Sequence, residues 1–149
     1  MVQNIYNYYQ YSDTLAAGGQ PTPEQLEALK KEGFQVVFSI SPASTRNYLQ
    51  TEATIAESLG MEFVHYPVDC SNLIDSHYKV FSKILEGIAD KKVFVHCGGN
   101  IKSSSLIHMY KVLEMGVNEE DSLQELKTIH KPEQKWFEYF KRQGMQGLS

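Results

Sequence analysis

The sequence predicts a single-domain α/β protein spanning residues 1–149, with a mostly parallel central sheet of four to five strands and helices on both faces. Three observations predict it. The compact apolar runs Gln35 to Ile40 and Val93 to Val95 have the length and β-branched content of strands buried on both sides. Amphipathic stretches of helical period alternate with such runs, the pattern of a sheet whose crossovers are helices. A chain of 149 residues with 42% hydrophobic residues fills one core and leaves little room for a second.

The elements follow in chain order. Tyr6, Tyr8, Tyr9 and Tyr11 form an aromatic cluster, expected to pack an N-terminal segment on the domain edge, with a place beside a binding cleft as the other reading. Thr22 caps a helix, Pro23 suits its first position and Gln25 completes a capping box. Leu26 and Leu29 share a face of that helix, and Gly33 stops it. Gln35 to Ile40 is a buried strand, and SPASTRN after it is a loop. Residues 51–59 form a short helix ending at Gly60, and Phe63 to Pro67 is another short strand. Phe81, Ile84, Leu85 and Ile88 fall at i, i+3, i+4 and i+7, so residues 75–89 are an amphipathic helix. Val93 to Val95 is the next strand. Leu106, Met109, Tyr110 and Leu113 trace a helical stripe that ends at Gly116. Asn118 caps a helix running to about His130, with Leu123, Leu126 and Ile129 inward, and Pro132 opens a last helix carrying Trp136, Phe137 and Phe140.

The net charge of -4, with no basic stripe, argues against nucleic-acid binding. No apolar run approaches the roughly 18 residues of a membrane span. The opening MVQNIYNYYQYSD lacks a basic region followed by an apolar stretch, so it does not read as a signal peptide; a leader removed earlier would leave no trace. Two cysteines, Cys70 and Cys97, make no disulfide framework, which points to a reducing, cytoplasmic compartment. The oligomeric state is not readable.

In parallel sheets, ligands bind beyond the carboxyl ends of the strands. The loop after Val95 reads His96-Cys97-Gly98-Gly99-Asn100-Ile101-Lys102-Ser103-Ser104. Two glycines and an asparagine tolerate unusual backbone angles, and a helix follows. Such a turn aims consecutive N–H groups at one point, and the helix N-terminus adds its positive dipole. An anion is stabilised there, and so is a thiolate, which makes Cys97 a nucleophile rather than an inert core thiol.

The segment VHCGGNIKSS resembles the signature of cysteine-based protein tyrosine and dual-specificity phosphatases. It is closest to a bacterial branch whose loop is His-Cys, four residues, then Arg. That branch also occurs as the phosphatase-like domain of proteins called β-lactamase hydrolase-like. LAAGGQPTPEQLEALKKEGFQVVFSI resembles the family's strand, Gly-Gln-Pro-Thr turn, helix and strand, and EFVHYPVD its next strand and loop. The resemblance spans about residues 13–115. It implies a protein-tyrosine-phosphatase-like fold and hydrolysis of a phosphorylated protein or small phosphomonoester, with no metal or organic cofactor. Cys97 would attack phosphorus, and the amides of Gly98, Gly99, Asn100, Ile101 and Lys102 would hold the phosphoryl oxygens. Ser103, or Ser104 given the short loop, would hydrogen-bond the thiolate. Asp69, with Asp75 as the alternative, would protonate the leaving oxygen.

The chain departs from the pattern at Lys102, which stands where the family has Arg. Arginine grips two phosphoryl oxygens with a planar fork, and lysine offers a point charge. Loss of one aimed donor costs about 3–4 kcal/mol, or roughly two to three orders of magnitude in rate. The sequence therefore allows a slow phosphatase or a phosphate-binding module without turnover. Arg46, in the loop after Ile40, reads as a surface residue, with reach to the site from the side as the other reading. His96, His108 and His130 lack zinc spacing with the cysteines, and His96 reads as a residue that orients loop backbone. Cys70 is an unreactive thiol or the partner of Cys97 in a protective disulfide. A rhodanese-type sulfurtransferase also sets a cysteine between a strand and a helix, but the Gly-Gln-Pro-Thr segment speaks against it.

Overall fold

A computed structural model describes residues 1–149. After a short 3-10 turn at Val2–Asn4 come β1 (Tyr9–Ser12), β2 (Leu15–Gly18), α1 (Pro23–Lys31), β3 (Val36–Ser39), α2 (Glu52–Ser58) and β4 (Glu62–His65). Then follow α3 (Asp75–Ile88), β5 (Val93–His96), α4 (Ile101–Leu113), α5 (Glu119–Ile129) and α6 (Gln134–Arg142). The five strands lie in the order β1-β2-β5-β3-β4. All neighbours are parallel except the β1–β2 hairpin. No helix is long and apolar enough to cross a membrane.

Side chains alternate across the sheet and so divide the core in two. Ala17, Val36, Phe38, Val93 and Val95 face the larger core with α3, α4, α5 and α6. Ala16, Val37 and Phe94 face the smaller one with α1, α2 and the 3-10 turn. Helices on both faces explain why β3 and β5 are apolar at nearly every position.

The local signals act as expected at several points. The Thr22 hydroxyl accepts from the Gln25 amide, and the Gln25 side chain accepts from the Thr22 amide. The Asn118 side chain accepts from the Asp121 amide. Elsewhere the boundaries shift. The fourth strand runs Glu62–His65 rather than to Pro67, and Tyr66 and Val68 still bond Ser39 and Ile40 at the end of β3 as the chain leaves the sheet. The last helix begins at Gln134, with Glu133 rather than Pro132 at its start. The aromatic cluster splits. Tyr9 and Tyr11 belong to the edge strand β1, and Tyr8 stacks on Phe94. Tyr6 stays exposed and lines a cavity of about 330 Å³ beside Gly99 and Ile101.

β5 is inserted between β2 and β3, although it is last in the chain. From β2 the chain passes to α1 on one face, and from β5 it passes to α4 on the other. The two exits diverge and leave a crevice beyond the strand ends, where ligands of such sheets bind.

Candidate active site

His96 ends β5 and Ile101 begins α4, so Cys97 through Asn100 are the turn between them. Asn100 takes the left-handed conformation, with φ 66°, and its side chain donates to the Asn7 carbonyl at 2.9 Å. Asn7 in turn donates to the Gly99 carbonyl at 3.2 Å. Gly98 and Gly99 do not have positive φ, and Gly98 is short of room. A Cβ on Gly98 would lie 3.2 Å from both Thr45 and Asn47, and one on Gly19 would lie 2.8 Å from the Gly98 carbonyl oxygen. That carbonyl accepts from the Asn47 side chain at 3.1 Å and the Gln20 amide at 3.2 Å.

The carbonyls of the loop are thus tied outward, and its amides are left over. Apart from an isolated antiparallel bridge that joins Gly99 to Gly19, the N–H groups of Gly98 to Lys102 make no hydrogen bond within the protein. Successive unspent donors at a helix start are a nest of positive potential. Beneath the loop lies a buried pair that sequence reasoning missed. His96 Nε2 and the Glu52 carboxylate meet at 2.5 Å with side chains 0% and 2% exposed. The other Glu52 oxygen accepts from Gln20 at 2.8 Å, and His96 Nδ1 lies 3.3 Å from the Cys97 carbonyl. His96 orients the loop, and Glu52 holds His96.

Cys97 is 1% exposed in the residue as a whole, yet it lines a cavity of about 200 Å³. Gly98, Gly99, Ile101 and Lys102 share this wall, so the predicted loop converges on one space. Asn100 does not, because it is buried and serves the turn. Four residues on the wall lay outside the sequence reading of the site: Thr45, from the loop after β3, and Glu133, Lys135 and Trp136 at the start of α6. No spacing in the sequence links residue 135 to residue 97. Cys70 lines the cavity as well, and both cysteines are free thiols.

The predicted auxiliary residues sort themselves by their partners. The Ser104 hydroxyl donates to the Asn100 carbonyl at 2.5 Å, whereas the Ser103 hydroxyl is buried with no partner. Lys102 Nζ donates to the Val68 carbonyl at 2.8 Å, which ties α4 to the loop after β4. The next residue, Asp69, is exposed, and its carboxylate accepts from the Ser71 amide at 3.0 Å and hydroxyl at 2.7 Å. Those two bonds hold its carboxyl below the usual range, helped by nearby Lys102 and His77. Asp75 sits in the first turn of α3 and accepts from Gln143 at 3.0 Å. Arg46 is exposed and does not line the cavity.

Comparisons with known proteins agree with this fold. The family model described as "DSP-PTPase phosphatase fused to NAD+ Kinase" matches residues 7–142. No curated protein is a significant match. Among solved structures, a putative phosphatase (DUF442) from Shewanella putrefaciens CN-32 is 24% identical, with a TM-score of 0.82 over 96% of this chain and 92% of that one. P. aeruginosa TpbA, solved in complex with pTyr, is 16% identical, with a TM-score of 0.75 over 95% of this chain and 85% of that one. The core catalytic domain of the PP-IP phosphatase SIW14 from S. cerevisiae is 13% identical, with a TM-score of 0.74 over 92% and 85%. At these identities the solved structures show a shared phosphatase-like fold. The chain belongs to the DSP-PTPase phosphatase family found fused to NAD+ kinase, within the cysteine-based tyrosine and dual-specificity phosphatases.

Proposed function

We propose that the chain hydrolyses phosphomonoesters through a phosphocysteine on Cys97. The observation that carries this reading is the run of amides from Gly98 to Lys102, left without acceptors apart from the Gly99–Gly19 bridge, on a loop whose cysteine lines the same cavity. Those amides bind the phosphoryl oxygens and favour the charged sulfur beside them. Sγ attacks phosphorus in line, and the bond to the leaving oxygen breaks. Asp69 gives that oxygen a proton. Water then attacks the phosphocysteine, Asp69 takes the proton back and the thiolate departs with phosphate. The unpartnered Ser103 hydroxyl is free to donate to the departing sulfur. Cys70, the residue after Asp69, lines the cavity, which supports Asp69 as the acid. The relatives differ in ligand: TpbA was solved with pTyr, and SIW14 is described as a PP-IP phosphatase. The substrate is therefore a phosphorylated protein or a small phosphorylated compound.

A second reading, phosphate binding without turnover, has one observation in its favour. Lys102 gives its ammonium to the Val68 carbonyl and offers no fork. Release of phosphate from 4-nitrophenyl phosphate under reducing conditions separates the two. Slow turnover, blocked by vanadate and abolished in Cys97→Ser, is expected. Activity that survives Cys97→Ser refutes the cysteine mechanism, and micromolar phosphate-ester binding with no turnover over hours selects the second reading.

A further inference from the structure

Acidic residues occupy the first turn of α1, α2, α3 and α5: Glu24, Glu52, Asp75 and the Glu119–Asp121 run. They complement the positive helix N-termini. α4 and α6 have no acidic residue there, and each carries a lysine as its second residue, Lys102 and Lys135. These are also the two helices whose starts line the Cys97 cavity. A cation at that position opposes its own helix dipole, so local stability does not account for Lys135.

The Lys135 side chain also has no partner. The chain's ion pairs are Lys91–Glu62, His96–Glu52 and Lys111–Glu125, and the Lys135 ammonium makes no hydrogen bond. Its neighbour Trp136 lines the same cavity, is 0% exposed and has its indole N–H buried with no acceptor. A buried donor without an acceptor is costly unless a ligand supplies one. Glu133, the only carboxylate on this wall, is exposed, and water screens it. The loop amides and Lys102 already make one anion site on the α4 side. The α6 side holds a helix start, an unpaired ammonium and an unpaired N–H, which are the makings of another.

We propose that Lys135 and Trp136 form a second anion subsite, so that the preferred substrate carries a second phosphate close to the one that Cys97 attacks. The inference rests on reading the Cys97 cavity as a phosphomonoester site, and it is tested by binding so that it stands apart from turnover. Calorimetry on the full chain bearing Cys97→Ser compares phenyl phosphate with resorcinol bisphosphate, the same ring with a second phosphate. The bisphosphate is expected to bind about tenfold more tightly or better. Lys135→Gln should collapse the ratio to the roughly twofold statistical advantage of two phosphates, and Lys135→Arg should preserve it. The ratio is insensitive to partial unfolding, which weakens both probes alike.

No preference in the parent protein, or a preference that Lys135→Gln leaves intact, overturns the subsite. Equal weakening of both probes by Lys135→Gln would put this ammonium on the scissile phosphate and also overturns it. Lys135-dependent preference in a protein that, with Cys97 intact, hydrolyses neither probe would support the subsite and remove the hydrolase reading. Turnover of phenyl phosphate with a ratio indifferent to Lys135 would do the reverse.

Discussion

Lysine and arginine carry the same charge with different geometry, and at position 102 the difference bears on what the side chain can hold. The Lys102 ammonium reaches the Val68 carbonyl at 2.8 Å and is held there as a strap. A guanidinium has donors enough to keep such a bond and still meet a phosphoryl oxygen. Lys102→Arg is therefore predicted to raise kcat on an aryl phosphate by at least about tenfold, within the two to three orders that one aimed donor is worth. An unchanged or lower kcat would show that the strap matters more than the fork. Asp69 presents the second residue-scale question. Ser71 stabilises the carboxylate form and lowers its pKa. Only the protonated form donates to a leaving oxygen, so activity falls as pH rises through that pKa. Ser71→Ala removes the hydroxyl's bond, raises the pKa and should move the basic limb of the pH–rate profile upward. A limb that stays put, yet is lost in Glu133→Gln, would assign the acid to the start of α6.

At the scale of elements, the phosphate loop is held from below by α2 and from the side by the segment after β2. Glu52 is the joint, because it binds His96 with one oxygen and Gln20 with the other. Removing one member of such a buried pair typically costs about 3–5 kcal/mol. Glu52→Ala is predicted to lose about that much in urea unfolding and to lower kcat with it. A variant that is as stable as the parent would show that the pair is dispensable. The sequence showed the helix of residues 51–59 but not this role, since a first-turn carboxylate ordinarily faces water and nothing local marks Glu52 as buried. Caps and stripes read well because their partners lie three or four residues away, as with Thr22–Gln25 and Asn118–Asp121. The β1–β2 hairpin was hidden behind the tyrosines, whose burial depends on β5, Glu125 and the rest of the fold.

Across the whole molecule, strand insertion makes the site. β5 enters last between β2 and β3, and the exits to α1 and α4 part around Cys97. The fold class and the loop from Cys97 to Lys102 were legible because both are written in contiguous residues: apolar runs of strand length, then Cys-Gly-Gly-Asn before a helix. Thr45, Glu133 and Lys135 were not legible, because only the tertiary fold brings residues 45 and 135 beside residue 97. The two loop glycines were read for their backbone freedom, yet neither takes positive φ, and Gly98 is hemmed in by Thr45 and Asn47, which only neighbouring atoms reveal. The central claim is that unspent main-chain donors keep one sulfur ready to take a phosphoryl group. Acid-quenching the protein during turnover of an aryl phosphate, followed by peptide mass spectrometry, tests it most directly. The account predicts a phosphoryl adduct on the peptide containing Cys97 and none in Cys97→Ser; turnover with no adduct on that peptide, or with one on another residue, would contradict it.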